Sequence, residues 1–154
     1  MINQLTKLIH ITFATLLFGV VTASGDWKTN YEKAITMASK EEKYILINFT
    51  GSDWCRPCIK MKKDIFDKET FKSYTRDKLV LINLDFPRKK KIDKSISEQN
   101  NQLLKKYAVL MFPTIILLDP DGKEINRHVG YKTGGVENYL RYIKRNITSN
   151  KLHP

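Results

Sequence analysis

The sequence predicts an α/β fold: a central mixed sheet with helices on both faces. Three observations carry that expectation. Segments with apolar residues at helical spacing alternate with short apolar, β-rich runs. Two of those runs, 44–49 and 79–85, are apolar almost throughout, as in central strands covered on both faces. The turn Asp119-Pro120-Asp121-Gly122 is too short for a crossover, so the two strands it joins must be antiparallel.

The elements follow in order. Residues 27–43 set Tyr31, Ala34, Ile35 and Ala38 at helical spacing, and Tyr44-Ile45-Leu46-Ile47-Asn48-Phe49 is the first strand. Thr50-Gly51-Ser52-Asp53 is a loop. A helix should run from Cys55 to about Phe66, with a second short one over 69–76. Leu79–Asp85 is a strand ending before Pro87. The least regular stretch, 86–94, carries Arg88-Lys89-Lys90-Lys91 and runs through Lys94 into a helix over about 96–107. Phe112-Pro113-Thr114 opens a strand through Leu118, residues 123–129 pair back on it, and Gly130 breaks the pairing. Residues 133–147 read as a closing helix. Internal repeats are absent.

The chain has 154 residues, enough for one domain with a proper core. Its start has the pattern of a secretory signal over residues 1–23. Lys7 supplies the positive segment, residues 9–21 are almost wholly apolar, and Val21-Thr22-Ala23 suits cleavage near Ala23. The apolar run is short for a membrane span. The expected mature domain is 24–154, periplasmic or secreted, in an oxidising or mixed compartment. Lys7 is the only charged residue in the leader, so the domain keeps +10 of the formal +11. Such an excess favours anionic partners in general, although most of it should be a solvated face. Nucleic-acid binding is not expected, since basic residues are not interleaved with aromatics on one element.

Only two cysteines are present, in Trp54-Cys55-Arg56-Pro57-Cys58 between a predicted strand and a predicted helix. A ring this small closes too short a loop to act as a staple, so redox chemistry is the better reading. Zinc would need two more ligands, and His10, His128 and His153 lack the spacing. Cys55, at the helix N-terminus beside Arg56, is the expected attacking thiolate. Cys58, nearly a turn further in and less exposed, should resolve the mixed disulfide. Pro57 stiffens the first turn without costing a hydrogen bond. The alternative is a soft-metal module holding Cu(I) on the same pair, with Met61 and Met111 as the available thioethers. A third reading makes the basic segment from Arg88 to Lys94 a docking element.

This element order, with Trp-Cys-x-Pro-Cys after the first strand and Phe-Pro-Thr before the third, resembles the thioredoxin superfamily. Phe49-Thr50-Gly51-Ser52-Asp53-Trp54-Cys55 and Asp85-Phe86-Pro87-Arg88-Lys89-Lys90 are similar to secreted bacterial members, among them relatives of the C-terminal domain of the periplasmic Dsb electron-transfer reductase. The resemblance implies a thioredoxin-like fold and a monomeric thiol–disulfide oxidoreductase with no cofactor beyond the Cys55–Cys58 disulfide. Its partners would be disulfide-containing extracytoplasmic proteins and a membrane reductase that donates electrons. It further implies a cis Pro113 facing the disulfide, and a shallow substrate groove of Trp54, Phe112, Pro113, Gly130 and Tyr131. Arg56 stands where the family usually has Gly, and with Pro57 it would tune the redox potential. The buried acid of the family reads Asn48 here, and its lysine partner reads Leu81. Proton transfer from Cys58 must then use water, Asp53 or the substrate.

Overall fold

The computed structural model describes residues 26–152; the expected signal peptide and its cleavage near Ala23 lie outside the described residues. Helix α1 (Tyr31–Lys40) starts where Asn30 Oδ1 accepts the Lys33 N–H at 2.9 Å. Strand β1 (Tyr44–Thr50) leads to α2 (Arg56–Met61), which continues as a π-helical turn over Lys62–Phe66. Helix α3 (Glu69–Arg76) and β2 (Leu79–Asp85) follow. Asp93 caps α4 (Lys94–Lys106), and the chain ends with β3 (Thr114–Leu118), β4 (Glu124–Val129) and α5 (Gly135–Leu152).

The sheet order is β2-β1-β3-β4, with β1 parallel to β2 and the other two pairings antiparallel. The expected mixed sheet is therefore present. Successive residues of a strand point to opposite faces, and the cores divide accordingly. Ile45, Ile47, Phe49, Val80, Ile82 and Leu84 pack under α1 and α4, with Leu103 and Tyr107. Leu46, Leu81, Ile115 and Leu117 pack against Met61, Ile65, Phe71, Tyr139 and Ile143 on the other face. Asn48 and Thr50 share that second face, at the C-terminal end of β1 where the cysteine loop begins.

Two boundaries differ from expectation. The first helix begins at Tyr31 because residues before it serve the sheet. Lys28 donates to Leu81 O and accepts from Asn83 N, both at 2.8 Å, covering the outer edge of β2. Trp27 packs its ring 4.9 Å from that of Phe66. The closing helix runs to Leu152, one turn beyond the apolar pattern, on an exposed polar end.

Phe71 is fully buried between Trp27, Phe66 and Tyr139, so it tests the second core directly. Phe71→Ala should cost about 3–5 kcal/mol. Urea unfolding would show a lower midpoint at unchanged slope; a loss under about 1 kcal/mol would mean that this core collapses around the cavity.

Candidate active site

Cys55 caps α2, its Sγ accepting the Cys58 N–H at 3.3 Å, and the two sulfurs form a disulfide across a Cα separation of 5.3 Å. Pro57 lies in the first helical turn, where no backbone hydrogen bond is lost, and Arg56 is exposed beside it. The expected difference in exposure is absent in the disulfide form: Cys55 is 5% and Cys58 4% exposed. Position on the helix, rather than accessibility, distinguishes the two.

The Phe112–Pro113 bond is cis, as the resemblance implied. The Trp54 ring stands 5.9 Å from that of Phe112, which brings the cysteine motif and the proline turn together. Trp54 Nε1 donates to Phe86 O at 2.8 Å, and the indole fills the space above Gly51, where any Cβ would collide with it. Phe112 is half-buried and stacks on Phe86 at 5.0 Å, while Leu110 (92% exposed) and Met111 (63%) stand out beside the turn. Gly130 adopts a positive φ of 79° and donates to Pro113 O at 2.8 Å. Tyr131 is tied to the π-helical turn by a 2.8 Å bond from its hydroxyl to Asp64. Met61 is buried in the second core, away from Met111 on the surface.

Three carboxyl and amide groups change the picture of proton transfer. Asp53 accepts the backbone N–H groups of Arg88, Lys89 and Lys90 at 2.9, 2.7 and 3.1 Å. The Arg88 bond above all holds its carboxyl below the usual range, so Asp53, one of the three expected proton routes, is engaged as a clamp on the basic segment. The Arg88 guanidinium lies 3.8 Å over the Trp54 ring. Asn48 is opposite Asn83, not Leu81, which lies one step back opposite Leu46. Asn48 Nδ2 donates to Asn83 Oδ1 at 2.8 Å, leaving Asn48 Oδ1 buried and unpartnered.

Beside them is a cleft of about 290 Å³ whose lining includes Cys58, Asn48, Asn83, Ser52, Asp85 and Lys90. Asp85 accepts from Ser52 N at 2.9 Å and Ser52 Oγ at 2.6 Å, and pairs with Lys90 at 2.8 Å. Its side chain is 12% exposed, and it is the one carboxylate lining this cleft among the described residues. The sequence reading missed this role. The pairing β1∥β2 brings Asp85 to the loop, across 33 residues of chain that no local pattern spans.

A family model for a thioredoxin-like domain matches residues 31–144. The chain belongs to the thioredoxin-like family. This thioredoxin-like protein is 32% identical over 125 residues to the disulfide bond reductase DsbH of Chlamydia pneumoniae, covering 81% of this chain and 74% of that protein. A solved structure of a DsbH oxidoreductase superimposes with a TM-score of 0.76 at 31% identity, covering 84% of this chain and 89% of that one. Thiol-disulfide oxidoreductase ResA of Bacillus cereus is 28% identical over 123 residues, covering 72% of this chain and 69% of that protein. The oxidised C-terminal domain of Neisseria meningitidis DsbD shares the fold, with a TM-score of 0.55 at 17% identity over 75% of this chain and 91% of that one. The fold of this thioredoxin-like protein is thus the one its sequence implied.

The Asp53 clamp carries a definite pH dependence. A carboxyl whose folded pKa is lowered stabilises fully above its ordinary value of 3.8, and that contribution is lost as pH falls through the lower folded value. Amide chemical shifts of Arg88, Lys89 and Lys90 should therefore titrate together with a midpoint below 3.8. A midpoint at or above that value would mean that the clamp does not hold in solution.

Proposed function

We propose that this chain is an extracytoplasmic reductase of protein disulfides, working through the Cys55–Cys58 dithiol. That it is a thiol–disulfide oxidoreductase follows from its family and its relatives; the direction, the compartment and the clients are the proposal. The observation that carries it is the disulfide at the start of α2, brought beside the cis Phe112–Pro113 turn by the Trp54–Phe112 contact.

In the reduced protein the Cys55 thiolate attacks a client disulfide. A Cys55–client disulfide forms, and the second client sulfur leaves as a thiolate and takes up a proton. Cys58 then loses its proton and attacks Cys55 Sγ, closing the Cys55–Cys58 disulfide and releasing the first client thiolate. Two electrons have passed to the client, and a membrane-bound dithiol donor returns them. Arg56 and the helix terminus favour the Cys55 thiolate, and each pK unit so gained is worth about 1.4 kcal/mol, or roughly 30 mV. The backbone of Phe112, with Pro113, Trp54, Gly130 and Tyr131, forms the client groove. Asp85 accepts the Cys58 proton across the cleft they share. Lys90 and Ser52 hold its carboxylate in place for that transfer.

Cys58→Ser should accumulate the mixed disulfide with a model protein substrate, and Cys55→Ser should form none. Asp85→Asn should leave the first attack at its wild-type rate and slow release of the client by about tenfold or more near neutral pH. Stopped-flow reduction followed by acid trapping separates the two steps. Equal release rates would remove Asp85 from the reaction, and a Cys55→Ser protein that still reduces disulfides would overturn the reading itself.

A further inference from the structure

The end of the molecule that holds the disulfide is also where large apolar side chains are left uncovered. Leu110 and Met111 are 92% and 63% exposed, immediately before Phe112. Ile59 is exposed at the cleft beside Cys58, and Val129 is exposed opposite Thr114, next to Gly130. Leu152, the remaining large apolar side chain exposed among the described residues, lies at the far end, where Asn150 reaches Tyr44 at the start of β1. Single exposed apolar residues are ordinary on a folded protein; a group gathered at one site marks a surface that a partner covers.

Charge at the same end is one-sided, because each neighbouring carboxylate is already matched. Asp53 holds three backbone N–H groups, Asp64 pairs with Lys60 at 3.0 Å and accepts from the Tyr131 hydroxyl, and Asp85 pairs with Lys90. Arg56 and Arg88 are exposed, and among the described residues neither pairs with a carboxylate. Arg88 is nonetheless held in place. Its guanidinium lies 3.8 Å over the Trp54 ring, which stands 5.9 Å from that of Phe112. Such a contact fixes where the charge stands and leaves its N–H groups to another acceptor. Arg88, Trp54, Phe112, Met111 and Leu110 thus form one strip beside Cys55, cationic at one end and apolar at the other.

We propose that this strip selects the client. It takes a peptide segment whose disulfide cysteine is flanked on one side by an acidic residue, met by Arg88, and on the other by a large apolar residue, met by Leu110 and Met111. The inference rests on the reductase reading and adds to it the class of segment reduced. Arg88 can offer a carboxylate two parallel N–H donors, which the lysines of the same run cannot. Arg56 adds to the positive field but also acts on the Cys55 thiolate, so Arg88 carries the selection. An exposed ion pair contributes little by itself, and the discrimination comes mainly from steering and from rejection of like charge.

The test mixes the purified, reduced protein in stopped flow with peptides that share one disulfide and a leucine flank. They differ only in carrying Glu, Gln or Lys on the other side of the cysteine; both chain orders are made and the faster is followed. At low salt the second-order rate constant should fall about threefold from Glu to Gln and about tenfold or more from Glu to Lys. Sodium chloride at about 1 M, where the Debye length is about 3 Å, should flatten the series. Arg88→Gln should remove most of the preference for Glu, and Arg88→Glu should turn it towards the Lys peptide. Each comparison is made between peptides on one protein, so a general loss of activity cancels. Leu110→Ser/Met111→Ser should raise the half-saturating concentration of the Glu peptide about tenfold, while the preference for Glu over Lys persists. Equal rate constants on the Glu and Lys peptides overturn the selection and leave the reductase reading standing, whereas reduction of none of the peptides overturns that reading itself. A preference that survives Arg88→Glu, or a half-saturating concentration unmoved by the double serine variant, also overturns the selection, because net charge or the cysteines alone would then account for the rates. Self-association in sedimentation that the double serine variant abolishes would give the strip to a second copy of this chain, and overturns it likewise.

Discussion

Everything in this fold is arranged around the complete burial of β1. All seven of its residues are covered, and both of its edges are consumed, by β2 in parallel and β3 antiparallel. A strand in that position must be apolar on both faces for most of its length, which Ile45, Leu46, Ile47 and Phe49 provide. Polar residues can enter only where the strand runs out into the loop. Asn48 and Thr50 do so, and they share the face that α2 and Cys58 occupy. The reactive pair therefore stands at the C-terminal end of a fully buried strand paired on both edges, which fixes where the loop begins.

The loop itself is anchored by two carboxylates that act in opposite directions along the chain. Asp53, on the cysteine loop, grips three backbone N–H groups of the basic segment. Asp85, at the end of β2, grips Ser52 of the cysteine loop and Lys90 of the basic segment. Arg88 then covers the Trp54 ring. The run Arg88-Lys89-Lys90-Lys91 is thus not simply a solvated face. Its backbone and the side chains of Arg88 and Lys90 complete the wall of the site, although all four residues keep exposed surface.

What the sequence disclosed follows the range of the interactions. The strand and helix order was legible because burial imposes local periodicity, and Cys55, Arg56, Pro57 and Cys58 were legible because their chemistry is written within four residues. The cis Pro113 came only through the family resemblance; nothing local demanded it. Helical spacing alone places Trp27 and Lys28 in the first helix, since it cannot reveal that β2 needs a partner at its edge. The Asn48–Asn83 contact and the Ser52–Asp85–Lys90 group depend on the register between two strands, and no single-segment pattern encodes a register.

That register explains why an amide can stand where the family usually places a buried acid. An ionised carboxylate at position 48 would have the neutral Asn83, not a lysine, as its cross-strand neighbour, a costly arrangement in a buried site. An amide there satisfies one half of itself through Asn83 and leaves only Oδ1 without a partner. The smaller penalty of one neutral unpaired atom, about 1–3 kcal/mol, replaces that of an unpaired charge. The negative charge is instead held two residues further along β2, at Asp85, where Lys90 and Ser52 can reach it at the rim. Moving the acid from the strand interior to the cleft edge keeps a carboxylate in the same cavity as Cys58, and it ties that carboxylate through Lys90 to the basic segment that closes the wall.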